Sequence, residues 1–175
     1  MSENENPVEN TQDQAAQEQP QAGFAMDKVY VKDLSFESPN SPLIFTKPWQ
    51  PKVKMDLNTK HTVLDTDVHE VAVTITLTVK VEDMTAFIVE VQQAGIFRIT
   101  GLEGLQYHHA VGAVCPNLIF PYLRETIDST VVKGGFQPVM LAPVNFDAMF
   151  AQALQRKQQE EAAAASAEAE DSTVQ

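Results

Sequence analysis

The side chains best able to act chemically in this sequence are a few carboxylates, two adjacent histidines and one thiol. Asp33, Ser35 and Glu37 alternate with Leu34 and Phe36. In an extended chain successive side chains point to opposite faces, so both carboxylates project from one side. Ile88, Glu90 and Gln92 alternate with Phe87, Val89 and Val91 in the same way. If the two segments are neighbouring strands, three carboxylates and one isoleucine form an exposed acidic patch with an apolar contact. Such a patch suits a basic partner surface, where charge contributes specificity and association rate more than affinity. An ordinary solvated strand face is the alternative.

No catalytic constellation accompanies it. His108, His109 and Cys115 match no common zinc spacing, a second cysteine is missing, and adjacent residues on a helix point apart, so no metal is expected. Gly95, Gly101 and Gly104 do not follow the Gly-x-Gly-x-x-Gly spacing, and no Gly-Lys-Ser/Thr occurs. Cys115, between Val114 and Pro116, reads as a small buried apolar residue rather than the nucleophile of a Cys-His pair. An enzyme needs a clustered acid/base set, and none stands at a recognisable spacing. A small oligomeric α+β enzyme and a purely structural adaptor remain the rival classes.

The elements that must position these residues begin with strands. Val71, Val73, Ile75, Leu77, Val79 and Val81 alternate with threonines and Lys80, the pattern of a half-buried antiparallel strand. After a turn at Glu82-Asp83-Met84, Phe87, Val89 and Val91 restart it, predicting a hairpin. Earlier strands are expected around Val29-Tyr30-Val31 and Val53, Met55 and Leu57. Between those two, Ser38 to Pro51 holds four prolines, which exclude a helix and a central strand and predict an ordered crossing loop. Its Leu43, Ile44, Phe45 and Trp49 require something to pack on. Helices are predicted over Leu102–Val114, ended by Pro116; from Pro121 through Leu123, Ile127 and Val131 to Gly134-Gly135; and after an Asn145 cap. Strands followed by helices give an α+β fold, a four-stranded antiparallel sheet with C-terminal helices packed on one side. The uncovered sheet face predicts self-association.

Charge is concentrated at the ends. The chain has 175 residues and a formal charge of −12, but residues 1–25 and 160–175 each carry five acidic and no basic residues. The stretch between keeps 14 acidic and 12 basic residues, a charge of −2. Residues 1–25 are expected to be a disordered acidic tail and residues 159–175 an acidic, alanine-rich one, solvating the domain of residues 26–158. The acidic balance excludes a sequence-independent nucleic-acid binder, which needs a basic footprint. Neither a basic-then-apolar leader nor a run of about 20 apolar residues is present. With a single cysteine, this predicts a soluble cytoplasmic protein.

Four segments carry a resemblance: Tyr30-Val31-Lys32-Asp33-Leu34-Ser35-Phe36-Glu37-Ser38-Pro39-Asn40, Val91-Gln92-Gln93-Ala94-Gly95-Ile96-Phe97, Cys115-Pro116-Asn117-Leu118-Ile119-Phe120-Pro121-Tyr122-Leu123-Arg124-Glu125, and Leu141-Ala142-Pro143-Val144-Asn145-Phe146-Asp147. In this order they resemble the bacterial protein-export chaperone family SecB, over about Val29 to Phe150. The resemblance implies a homotetramer, a dimer of dimers, with no enzymatic activity and no cofactor. Such a protein holds unfolded precursor proteins translocation-competent and delivers them to the export ATPase SecA. It places the surface for SecA's zinc-bearing C-terminal segment on Asp33, Glu37, Ile88 and Glu90, and a client groove along Leu43, Ile44, Phe45, Trp49, Phe120 and Tyr122. Val89, Val91 and Gln93 fall at an assembly-sensitive structural face. Ala94 departs from the family's usual glycine.

Overall fold

The computed structural model describes the backbone of residues 22–171 and the side chains of residues 22–160. Strands β1 (Gly23–Glu37), β2 (Pro51–Asp65), β3 (Val68–Val81) and β4 (Met84–Thr100) form one antiparallel sheet in the order β1-β4-β3-β2. The α+β architecture expected from the alternation is therefore present. Of the predicted tail over residues 1–25, all but the last four residues lie outside the described ones. Gly23, Phe24 and Ala25 pair with Thr100, Ile99 and Arg98, so the sheet starts before the expected boundary at residue 26.

Alternation divides the sheet into two faces. Val71, Val73, Ile75, Leu77, Val79 and Val81 on β3 and Phe87, Val89, Val91 and Phe97 on β4 are buried beneath the helices. Each such side chain contributes about 1.5–3 kcal/mol relative to exposure. Thr74, Thr76 and Thr78 pair with Gln92, Glu90 and Ile88 on the opposite face. That face is polar, so its lack of a helix leaves little apolar surface seeking cover. The exposed apolar side chains lie instead on the edge strands, at Val31 and Leu34 of β1 and Val53, Met55 and Val63 of β2.

The proline-rich segment carries the chain from one sheet edge to the other. It contains a single 3-10 turn, Leu43–Thr46, and is tied to the start of β4. Ser38 Oγ donates to the Ala86 carbonyl at 2.8 Å and Asn40 Nδ2 to the Thr85 carbonyl at 2.9 Å.

The helical layer differs from expectation at two prolines. Helix α1 (Gly104–His109) runs through a π turn (Ala110–Val114) directly into α2 (Cys115–Lys133). Pro116 therefore does not end a helix; it occupies the opening turn of α2, where a missing N–H costs least, and Pro121 lies inside α2 rather than at its start. The wider π turn supplies the local adjustment that a straight α-helix lacks. Ile119, Leu123, Ile127 and Val131 recur every four residues, and all are buried as α2 crosses β4 and β3. Helix α3 (Phe146–Asp171) starts as predicted, with the Ala148 N–H donating to Asn145 Oδ1 at 2.9 Å, and its backbone continues through the alanine run.

Candidate partner and client surfaces

The acidic residues meet through strand register. Asp33 lies opposite Gln92, Ser35 opposite Glu90 and Glu37 opposite Ile88, and directly opposed side chains share a face. Asp33, Glu37, Ile88 and Glu90 therefore stand together on the helix-free side. A bulge between Val31 and Asp33 brings them there. Glu90 is held by Thr76, whose hydroxyl donates to its carboxylate at 2.6 Å, and Gln92 Nε2 donates to Thr74 Oγ1 at 3.1 Å. Asp33 and Glu37 are exposed, and neither has an ion-pair partner among the described residues. The result is fixed negative charge around one half-buried isoleucine.

Beside this patch, β1 reaches across β4 to β3. Lys32 Nζ lies 2.7 and 2.9 Å from the two carboxylate oxygens of Glu70, and the Tyr30 hydroxyl donates to the same group. Tyr30 pairs with Ala94, which pairs with Ala72, so a small side chain at residue 94 leaves open the path above β4. Hydrogen bonds from Lys32 and then Tyr30 hold the Glu70 carboxyl below its usual range. Bonding to Glu70, followed by burial, pushes the Tyr30 hydroxyl up to about 12.

The apolar loop residues converge on a side chain that sequence reasoning missed. Helix α2 ends with Gly135 at φ +87°, while the N–H of Gly135 bonds to the Val132 carbonyl and that of Phe136 to the Val131 carbonyl. This is a Schellman motif, in which a glycine takes the left-handed position and the next residue packs back on the fold. Phe136 occupies that place, with ring centroids 4.8 Å from Phe87, 5.0 Å from Phe45 and 5.7 Å from Trp49. A Gly-Gly pair followed by an apolar residue was the available signal. Trp49, Val53, Phe87 and Val139 line a cleft of about 110 Å³ beside it.

The expected groove residues divide by burial. Leu43, Phe45, Trp49 and Tyr122 expose 57, 51, 36 and 49% of their surface. Ile44, at 2%, is instead part of the core, and Phe120, at 6%, packs against Phe146 at the start of α3. As lining residues these two are corrected: both are spent on packing. Tyr122 also stands apart from the Phe136 cluster, about 16 Å along α2 from its last residue.

The histidines and the thiol form no reactive pair. His109 Nε2 bonds to Asp147 Oδ1 at 2.8 Å, and His108 faces the neighbouring Tyr107 ring. Cys115 is fully buried, and burial pushes its thiol up to about 12, far from a ready thiolate.

Comparison with known proteins gives consistent results. Residues 16–157 match the family described as preprotein translocase subunit SecB. The protein-export protein SecB of Marinobacter nauticus is 52% identical over 161 residues, covering 92% of this chain and 98% of that protein. Its counterpart in Pseudomonas fluorescens strain SBW25 is 56% identical over 137 residues, covering 78% and 86%. Among solved structures, a Mycobacterium tuberculosis SecB-like chaperone in complex with a ChAD peptide from an antitoxin shares the fold. Its TM-score is 0.59 at 12% identity, over 69% of this chain and 90% of that one.

Proposed function

This chain belongs to the SecB family of protein-export chaperones, and from that premise we propose that two surfaces on opposite sides of its sheet divide the work of client holding and delivery. The apolar shelf of Leu43, Phe45 and Trp49 over Phe136, with Ile44 in the core behind it and the exposed Tyr122 as a separate contact further along α2, binds unfolded precursor segments. An apolar groove without deep, shaped pockets accepts many hydrophobic sequences and excludes folded proteins, whose apolar residues are inside. The peptide carried by the mycobacterial SecB-like chaperone is consistent with this use of the fold.

Asp33, Glu37 and Glu90, with Ile88 between them, receive the basic, zinc-bearing C-terminal segment of the SecA motor. The protein works in the cytoplasm, without catalysis, as a homotetramer. Exposed apolar residues on both edge strands support assembly. A domain that begins with β1 at Gly23, with acidic ends serving solubility, completes the reading. The observation that carries it is the placement of exposed aromatic residues and uncompensated carboxylates on different faces of one sheet. The test is to mix the protein with one precursor, reduced and unfolded or native and folded, and to measure binding and particle mass by light scattering. Capture of the unfolded form alone by a tetramer is expected; equal affinity for both forms, or a monomer, overturns the reading.

A further inference from the structure

A second polar cluster lies on the helix-covered face, away from both surfaces above. His61 on β2 and His69 on β3 occupy diagonal positions of the same pleat, since Val63 is opposite His69 and Val71 opposite His61. Tyr107 of α1 closes over them. His61 Nε2 is 3.2 Å from His69 Nδ1, and the Tyr107 hydroxyl is 3.4 Å from each of those nitrogens. Three donor atoms thus make a nearly equilateral triangle. Ligands about 2.0–2.1 Å from a tetrahedral ion are separated by about 3.3–3.4 Å, so this triangle has the dimensions of one face of such a site.

The surroundings suit an ion. His69 is buried at 4% exposure, which fixes one donor, while His61 is exposed and leaves the fourth position open to solvent. His108 is the neighbouring titratable group, its ring 5.6 Å from that of Tyr107 but making no bond to the triangle. Among the described residues no group of three or more His, Cys, Asp or Glu converges; here the third donor is a phenol.

We propose that His61, His69 and Tyr107 bind one divalent transition-metal ion per chain, of the zinc or copper class that imidazole ligands favour. Both rings bind through the nitrogens that now share a proton; that proton moves to the outer nitrogen of its own ring by way of solvent. Tyr107 binds as phenolate and releases one proton to the buffer. The ion joins β2, β3 and the first helical turn in one linkage, so its occupancy controls how firmly α1 is held against the sheet.

The test uses the untagged full chain, stripped with a chelator, dialysed and titrated calorimetrically with zinc chloride near neutral pH. One zinc ion per chain is expected, with about tenfold or greater loss of affinity in His61→Gln and His69→Gln, the least that even an outer partner of a metal site costs. Tyr107→Phe weakens binding and abolishes the proton release, whereas His108→Gln changes neither. Cobalt in place of zinc gives the intense visible bands of four-coordinate geometry. Because His69 is buried, the exposed His61 variant decides the matter if His69→Gln fails to fold. Absence of binding, equal binding by wild type and His61→Gln, or an equal loss in His108→Gln overturns the proposal.

Discussion

Replacing Glu70 by Gln removes one charge from the Tyr30-Lys32-Glu70 network and leaves an oxygen able to accept a hydrogen bond. Hydrogen bonds to charged groups contribute about 1.5–3 kcal/mol, and the lower end applies because the Lys32 side chain is 42% exposed. The alkaline side gives a second figure. Moving the Tyr30 hydroxyl from 10.0 to about 12 corresponds to at most about 2.7 kcal/mol, and solvent around this half-buried side chain reduces that to about 1–2 kcal/mol. Both figures describe bonding to one carboxylate and are not added. Glu70→Gln is expected to cost about 1–2 kcal/mol near neutral pH.

The pH dependence is more diagnostic than the loss. Glu70 is held below 4.5 in the folded state, so its contribution is complete above that pH and disappears as pH falls through the folded value. Tyr30 is held above 10.0, so its contribution is complete below pH 10 and is lost as pH rises toward about 12. The stability difference between wild type and Glu70→Gln therefore forms a plateau that narrows at both extremes. Urea unfolding followed by circular dichroism, at one protein concentration across that range, measures it. A pH-independent difference, or equal stability at neutral pH, refutes the network as described.

Asp33→Lys combined with Glu37→Lys is expected to abolish binding of the basic SecA segment in a pull-down while leaving client binding and particle mass unchanged; loss of all three indicates damage to the fold. Gly135→Ala places a β-carbon at φ +87°, 3.3 Å from the Phe45 ring. It should cost about 1–2 kcal/mol in thermal or urea unfolding and weaken client binding through displaced Phe136, whereas unaltered binding separates Phe136 from the groove. The Cys115 thiol should resist a thiol reagent in the native protein and react at once in denaturant; rapid native reaction contradicts its burial.

The strand pattern and the sheet's composition were legible because period-two alternation on β3 and β4 is nearly unbroken. So was the shared face of Asp33, Glu37, Ile88 and Glu90, given that β1 neighbours β4. Long-range placement was less legible. Pro116 and Pro121 punctuate a sequence strongly, yet the helix runs on through both, with a π turn just before Pro116 and Pro121 inside α2. Ile44 and Phe120 look like their exposed neighbours in composition, and only the tertiary fold decides which apolar side chain in a cluster faces inward. Glu70 with Lys32, and His61 with Tyr107, are joined by register and by a helix crossing, for which local spacing holds no signal.

The bulge at Lys32 makes the acidic face depend on counting as well as on charge. In a pleated strand each inserted or deleted residue inverts everything between it and the next irregularity. Deleting Lys32 would remove the extra residue and leave Asp33 opposite Gln92, whereas drawing Lys32 into a regular ladder would keep every carboxylate in the sequence yet turn Asp33 and Glu37 toward the helices and Leu34 and Phe36 toward solvent. Whether Lys32 lies in or out of the ladder thus decides which face carries the carboxylates, so the bulge, and not charge alone, encodes the docking face.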